Sequence, residues 1–353
     1  MAGRAGRLGI MPFGRSILLA DSPYERQALF ERYVRADPEP MRSSFSAADL
    51  GTWVLRLLAQ LRGGVERDEV SRLLANTYGG YLAARRDPDW RATLRDSLDA
   101  LLGRMDTLGL TESDAGRIRL SLLGSVCGRS SLAFPSLDRL LDRLRGPLGH
   151  NLTADRLMAV VQALPEMDDV YTPVMKRGTK ESKWQSVVTA RLGQDVTIAL
   201  QRGAPDQPTY WGRCKRTAIL LEWIAGTPIQ DMEKTFSATP FQGSVAAGNV
   251  RSIADSTRYR LRSAFDIVDV LLAGSGPDEE AVADLLRQLE FGLPEPALGL
   301  LDLPVRLSRG QALALYAAGL STPSHVAAAG PESLALLVGA AAAEDLVGAA
   351  RVA

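Results

Sequence analysis

The chain has 353 residues, 46% of them apolar and 23% charged, enough for two or three cored domains. Its 41 basic and 41 acidic residues cancel, which excludes an overall positive field, so a polyanionic partner has to be met by local basic patches. No apolar run approaches the roughly 20 residues needed to cross a bilayer. The basic start is followed by no signal-peptide core, and Cys127 and Cys214 have no metal-ligand spacing, so a reduced cytoplasm and no membrane are expected. In that setting the sequon Asn151-Leu-Thr153 means nothing. Ala, Leu and Arg dominate while aromatics are sparse, which favours a mainly α fold.

The first nine residues contain Gly3-Arg4-Ala5-Gly6-Arg7. Two arginines so spaced, between small residues, can both meet one polyanion, and guanidinium forks match phosphate oxygens without losing charge. The glycines allow close backbone approach. A solvated basic tail or a transit segment is the alternative for these letters. Leu8 to Arg15 then supplies a glycine turn, and Ser16 to Ala20 an apolar strand. Residues 21 to about 45 form a polar connector with Pro23, Pro38 and Pro40 and a short helix around Glu25–Val34.

From Phe45 the helical period takes over. Ser46 to Asp49 is a capping segment, and Leu50, Trp53, Val54, Leu57 and Leu58 share one face. Gly63-Gly64 stops that helix. A second, from about Glu66, puts Val70, Leu73, Leu74 and Tyr78 inside. A third runs from Pro88 to Met105 on Leu94, Leu98, Leu101 and Leu102. Leu108–Leu110 and Arg117–Leu120 are strand-like around a Thr-Glu-Ser-Asp turn. Three helices and a small hairpin give the order of a winged-helix domain. Gly124 to Ser130 lacks the lysine and spacing of a phosphate loop and serves as a turn before a helix from Ser136 to Leu144.

From Leu152 to about Leu272 lie basic segments interleaved with aromatics: Lys176–Trp184, then Trp211-Gly-Arg-Cys-Lys-Arg216 leading into Thr217–Ile224 before Gly226, with Trp223 and Ile224 assigned to the core. Asn249 to Arg262 then continues as the apolar helix Ala264–Leu272. Arg251, Arg258 and Arg262 fall near one helical face. Tyr259 either stacks on a base among them or packs inward beneath a solvated basic face. Ala273–Asp278 is a linker and Leu285–Phe291 a short helix. Pro304 to Gly319 holds Arg309, Ala312 and Leu315-Tyr316, and the tail from Pro331 is weakly helical. His150 and His325 are lone surface histidines.

Gly3-Arg4-Ala5-Gly6-Arg7 resembles motif VI of superfamily 2 helicases, Q-x-x-G-R-x-G-R. The chain beyond Arg7 is similar to the region after motif VI in Ski2-like, especially Hel308-like, DNA helicases. The resemblance implies that Arg4 and Arg7, with Gly3 and Gly6, meet ATP phosphates in an intact motor. It implies a remnant of a RecA-like lobe with its connector (1–45), a winged-helix domain (46–148), a helical ratchet domain (149–274) and a helix-hairpin-helix-like domain (275–353). Wing domains in these helicases contact nucleic acid or serve as structure; both stay open. The ratchet helix places Tyr259 where an aromatic stacks on single-stranded DNA, with Arg251 near the arginine position. Arg309 is the candidate phosphate contact of the hairpin, although Ser308 stands where the family has glycine.

The sequence holds no G-x-x-x-x-G-K-[ST] loop, and Asp278-Glu279-Glu280 comes after a Gly-Ser linker, not an apolar strand. The chain is therefore expected to begin inside motif VI, as the carboxyl-terminal part of a motor whose RecA-like front is missing. ATP and Mg belong to the intact helicase, with none expected on this chain alone. The resemblance implies a 3′→5′ polarity, single-stranded or forked DNA as partner and pathways such as DNA repair. A non-enzymatic winged-helix adaptor and part of a Ski2-like RNA helicase are the alternatives.

Overall fold

The computed structural model describes residues 13–37, 49–61, 63–114, 116–175, 180–237 and 243–350, within two units, 1–44 and 45–353. In the first unit the Ser22 hydroxyl accepts the Glu25 N–H at 3.1 Å and starts α1 (Pro23–Phe30), which one π turn, Glu31–Arg35, extends. That is the helix expected around Glu25–Val34. Residues 13–20 form no strand, and Phe13, Ile17 and Leu19 are exposed. This corrects the strand expected at Ser16–Ala20. A strand needs a neighbour for its N–H and C=O groups, and the described residues of this unit offer none.

The second unit begins with α2 (Leu50–Gln60), whose Leu50, Val54, Leu55 and Leu58 are buried. Gly64, at φ 71°, turns the chain into β1 (Val65–Glu66). Next come α3 (Arg67–Ala75), α4 (Tyr78–Arg86) and α5 (Trp90–Thr107), then β2 (Thr111–Asp114) and β3 (Arg117–Leu120). The strands form one antiparallel sheet in the order β1-β3-β2, with Val65 opposite Ile118 and Ser113 also opposite Ile118.

Three expectations change here. Leu108–Leu110 is the turn between α5 and β2, with Gly109 at φ 65°, and not a strand. The second helix is broken at Asn76-Thr77, because the Thr77 hydroxyl accepts the Gly80 N–H and starts α4; Leu73 and Tyr78 are consequently exposed, not inside. Thr-Glu-Ser-Asp is strand β2, not a turn: it lies at the sheet edge with three of its four side chains in water, so its polarity suits an edge strand.

Of the segment 124–130, expected as a turn, residues 124–129 belong to α6 (Leu122–Arg129) and Ser130 is its C-cap. Its glycine serves packing: a Cβ at Gly124 would come within 1.9 Å of the Leu110 carbonyl oxygen. After α7 (Phe134–Leu144) come α8 (Ala154–Val161), α9 (Pro165–Asp168), α10 (Lys183–Leu192), α11 (Gln194–Gln201), α12 (Gln207–Ile224), α13 (Ile229–Phe236), α14 (Ala247–Leu271) and α15 (Glu279–Phe291). Helix α12 runs through the middle, touching α9, α10, α11, α13, α14 and α15. Asp278 caps α15 by accepting the N–H groups of Glu280 and Ala281, and the two glutamates sit favourably in its first turn. The helix therefore starts six residues earlier than the Leu285 expected.

One apolar core runs continuously from Leu50 to Leu289, and a second gathers Leu293 to Ala350. The second belongs to a 3-10 turn at Glu295–Asp302, then α16 (Arg309–Ala317), α17 (Pro323–Val338, kinked at Gly330-Pro331) and α18 (Ala340–Ala350). The described part of the tail is thus helical apart from the turn at Gly339, with Leu334 and Leu346 buried. The described residues are mainly α, as expected, with one small sheet among them. Among the described residues no helix is long and apolar enough to cross a membrane, and no group of His, Cys, Asp or Glu is placed to hold a metal ion.

Candidate nucleic-acid interface

Helix α14 has 25 residues, about 37 Å at 1.5 Å per residue. Glu233 of α13 accepts the Ala247 N–H and the Asn249 side chain accepts the Ala246 N–H, both at 2.9 Å, so two orphan donors at its start are satisfied. Ala273 and Gly274, both at positive φ, end it. Val250, Ile253, Ala254, Leu261, Ala264, Phe265, Ile267 and Val268 are buried against α6, α8, α12 and α15. Two polar ties cross this apolar face. The Gln162 amide donates to Thr257 Oγ1 at 2.9 Å, and Ser263 Oγ lies 3.0 Å from Ser131 Oγ.

The opposite face is the candidate interface. Tyr259 is 67% exposed, so the inward-packed alternative is not what the fold adopts. Arg251, Arg258 and Arg262 lie within about 40° of one another around the helix. Arg251 is exposed and has no ion-pair partner among the described residues. Arg258 pairs with Glu290 of α15, and Arg262 with Asp266 at 3.2 Å and Glu279 at 3.9 Å. Asp255 and Asp269 share this face, so it carries both signs of charge. The Arg262–Asp266 spacing was legible as an i,i+4 pair. Glu279 and Glu290 were not, since they arrive on another helix.

Arg309, at the start of α16, is held by the protein itself. Its Nε donates to the Gly292 carbonyl at 2.8 Å and Nη2 to the Thr227 carbonyl at 2.9 Å, and its guanidinium stands 4.2 Å from the centre of the Trp223 ring. Burial, and secondarily Arg251, lowers its pKa to about 10, so it stays charged at neutral pH. Trp223 is itself core, as expected, and donates to the Leu289 carbonyl at 2.8 Å. Ser308, in the place of a hairpin glycine, is the N-cap of α16: its hydroxyl accepts the Gln311 N–H, and Gln311 accepts the Ser308 N–H at 3.0 Å. Between α14 and this junction lies a cleft of about 400 Å³ lined by Arg251, Arg306, Arg309, Glu290 and Phe291 among others. Arg251 and Arg309 thus come together, while Tyr259 and Arg262 lie outside the cleft.

The other basic run behaves oppositely. On α12, Arg213, Lys215 and Arg216 are all buried. Asp168 receives Arg213 Nε and Nη2 at 2.9 and 2.6 Å and Arg216 Nη2 at 3.2 Å. Lys215 Nζ donates to the Pro173 carbonyl at 2.6 Å and lies 3.4 Å from Glu181, which also accepts the Trp184 indole N–H. Burial lowers the Lys215 pKa while Glu181 opposes the shift. These cations offer nothing to a ligand. Nothing in the run Trp211–Arg216 signals this, because Asp168 lies more than 40 residues away.

Gly3, Arg4, Gly6 and Arg7 lie outside the described residues. His150 and His325 are exposed, as expected. No family model matches the chain. It is similar to proteins named ATP-dependent DNA helicase Hel308: 23% identical over 347 residues to that of Caldivirga maquilingensis, 24% over 345 to that of Pyrobaculum calidifontis and 23% over 356 to that of Methanocella arvoryzae. Each match covers 96% of this chain but only 43–44% of the relative. Over nearly all its length, then, the chain is distantly similar to less than half of a Hel308 DNA helicase.

Proposed function

We propose that this chain is the strand-gripping, carboxyl-terminal part of an ATP-dependent DNA helicase, probing single-stranded or forked DNA with the outer face of α14. The observation that carries it is Tyr259, 67% exposed on a helix held on its other face by four neighbours, beside Arg251, Arg258 and Arg262. Every base has a π-face, so a tyrosine ring grips a strand without regard to sequence while guanidinium groups hold its phosphates. Arg309 and Arg306 extend the arginine row toward the cleft.

The α-β-α-α-α-β-β order with sheet order β1-β3-β2 supports a winged-helix domain at 46–148, followed by a ratchet domain at 149–274 and a hairpin-type module at 275–353. In the intact motor, ATP with Mg would supply the driving force, with Arg4 and Arg7 at its phosphates. Alone, the chain binds the strand without hydrolysing ATP, and a cytoplasmic role in DNA repair or a related pathway fits the helicase relatives.

The test is binding of the full chain to a fluorescent oligodeoxynucleotide across a salt series, beside Tyr259→Ala and Arg251→Ala. Micromolar or tighter binding that weakens with salt and drops in both variants supports the assignment. Binding no better than that of the two variants at low salt overturns it, and α14 is then a scaffold helix.

A further inference from the structure

Resting on that assignment of α14, we infer that Glu290 is an internal stand-in for a strand phosphate, a carboxylate that occupies the arginine row and has to be displaced before DNA is held. Glu290 is exposed in the last turn of α15, and its carboxylate pairs with Arg258 in the middle of the α14 row. It also lines the cleft that holds Arg251, Arg306 and Arg309.

Its backbone is fixed on both sides. The Leu289 carbonyl accepts the Trp223 indole N–H and the Gly292 carbonyl accepts Arg309 Nε. The carboxylate is therefore delivered to one place. That place is unfavourable for α15, since the negative end of the helix dipole repels a carboxylate there, so the pairing across to α14 opposes a local cost. Carboxylate and phosphate oxygens accept the same guanidinium hydrogens, so the two compete for Arg258. Both side chains are part-exposed, which makes the ion pair weak enough to exchange. Glu279 repeats the arrangement more loosely with Arg262, from the other end of the same helix. The consequence is a grip that is readily released: each phosphate arriving at Arg258 displaces Glu290, and each departing one is replaced by it.

The test compares Glu290→Gln with Glu280→Gln in the full chain. Both remove one negative charge from exposed positions on α15, but no partner of Glu280's side chain lies among the α14 arginines. Glu290→Gln is expected to tighten binding of a fluorescent oligodeoxynucleotide by about three- to fivefold, the range a part-exposed ion pair allows, and to slow dissociation, with Glu280→Gln near wild type. In an Arg258→Ala background the gain should vanish. Equal effects of the two glutamine variants, or weaker binding by Glu290→Gln, overturn the inference. If Tyr259→Ala lowers binding while the glutamine variants behave alike, the DNA grip stands and the role of Glu290 alone falls. If Tyr259→Ala changes nothing, the grip itself fails.

Discussion

Helices α12 and α14 are written in similar letters and put to opposite uses. Helix α12 carries three basic residues, Arg213, Lys215 and Arg216, and α14 four, Arg251, Arg258, Arg260 and Arg262, each set with an aromatic nearby. On α12 the cations are buried and paired with Asp168, Glu181 and backbone carbonyls, with only Arg216 Nε left without a partner among them, and they clamp the loops around the bundle. On α14 they face outward, with Tyr259 in water and acidic partners that are themselves half-exposed. The difference lies in the neighbours. Six helices surround α12, whereas those on α14 leave one face clear. A basic, aromatic stretch is therefore no sign of a polyanion site until its carboxylates have been located.

The comparison breaks most visibly at Asp168. Asp168→Ala strands Arg213 and Arg216, buried to within 3% of full occlusion, and is expected to cost about 3–5 kcal/mol in urea unfolding. A loss below ~1 kcal/mol would show that the α12 cations are not a buried clamp. The junction between the cores comes next. Gly292 is at φ 67°, and a Cβ there would lie 2.5 Å from both the Trp223 ring and Arg309 Nε. Gly292→Ala should lower stability by about 1–3 kcal/mol, read from the same unfolding curve.

Tyr259→Ala should leave stability within about 0.5 kcal/mol of wild type yet weaken single-strand binding by about 1–3 kcal/mol. The same binding titration and a thermal melt check both halves. The smallest effect is chemical. Burial pushes the Cys214 thiol of α12 up to about 12, against opposing contributions from Tyr210, Arg213 and Arg216. The native protein should resist maleimide at pH 8 there, while a Tyr259→Cys variant is labelled on α14. Because the folded pKa lies above the ordinary 9.0, the stability this thiol contributes is intact below pH 9 and is lost as pH climbs toward 12. The stability of Cys214→Ala should accordingly fall less steeply over that interval.

Periodicity by itself determined several of the helices, including the apolar faces of α2 and α5 and the run of α14, because a 3.6-residue repeat survives in one dimension, while α8 to α11 and α13 were not singled out. It also placed Trp223 and Ile224 in the core and Arg251, Arg258 and Arg262 on one face. Local chemistry without periodicity was less legible. The stretch Ser16–Ala20 forms no strand and finds no partner among the described residues, the break at Thr77 depends on a single hydroxyl, and strand β2 is polar because it lies at a sheet edge. Only the tertiary structure decided which basic residues meet water. Asp168 with Arg213 and Arg216, Glu290 with Arg258, and Arg309 with Trp223 are contacts between elements distant in sequence. A charge's role is set by what lies within a few ångströms of it, and sequence order does not record that distance.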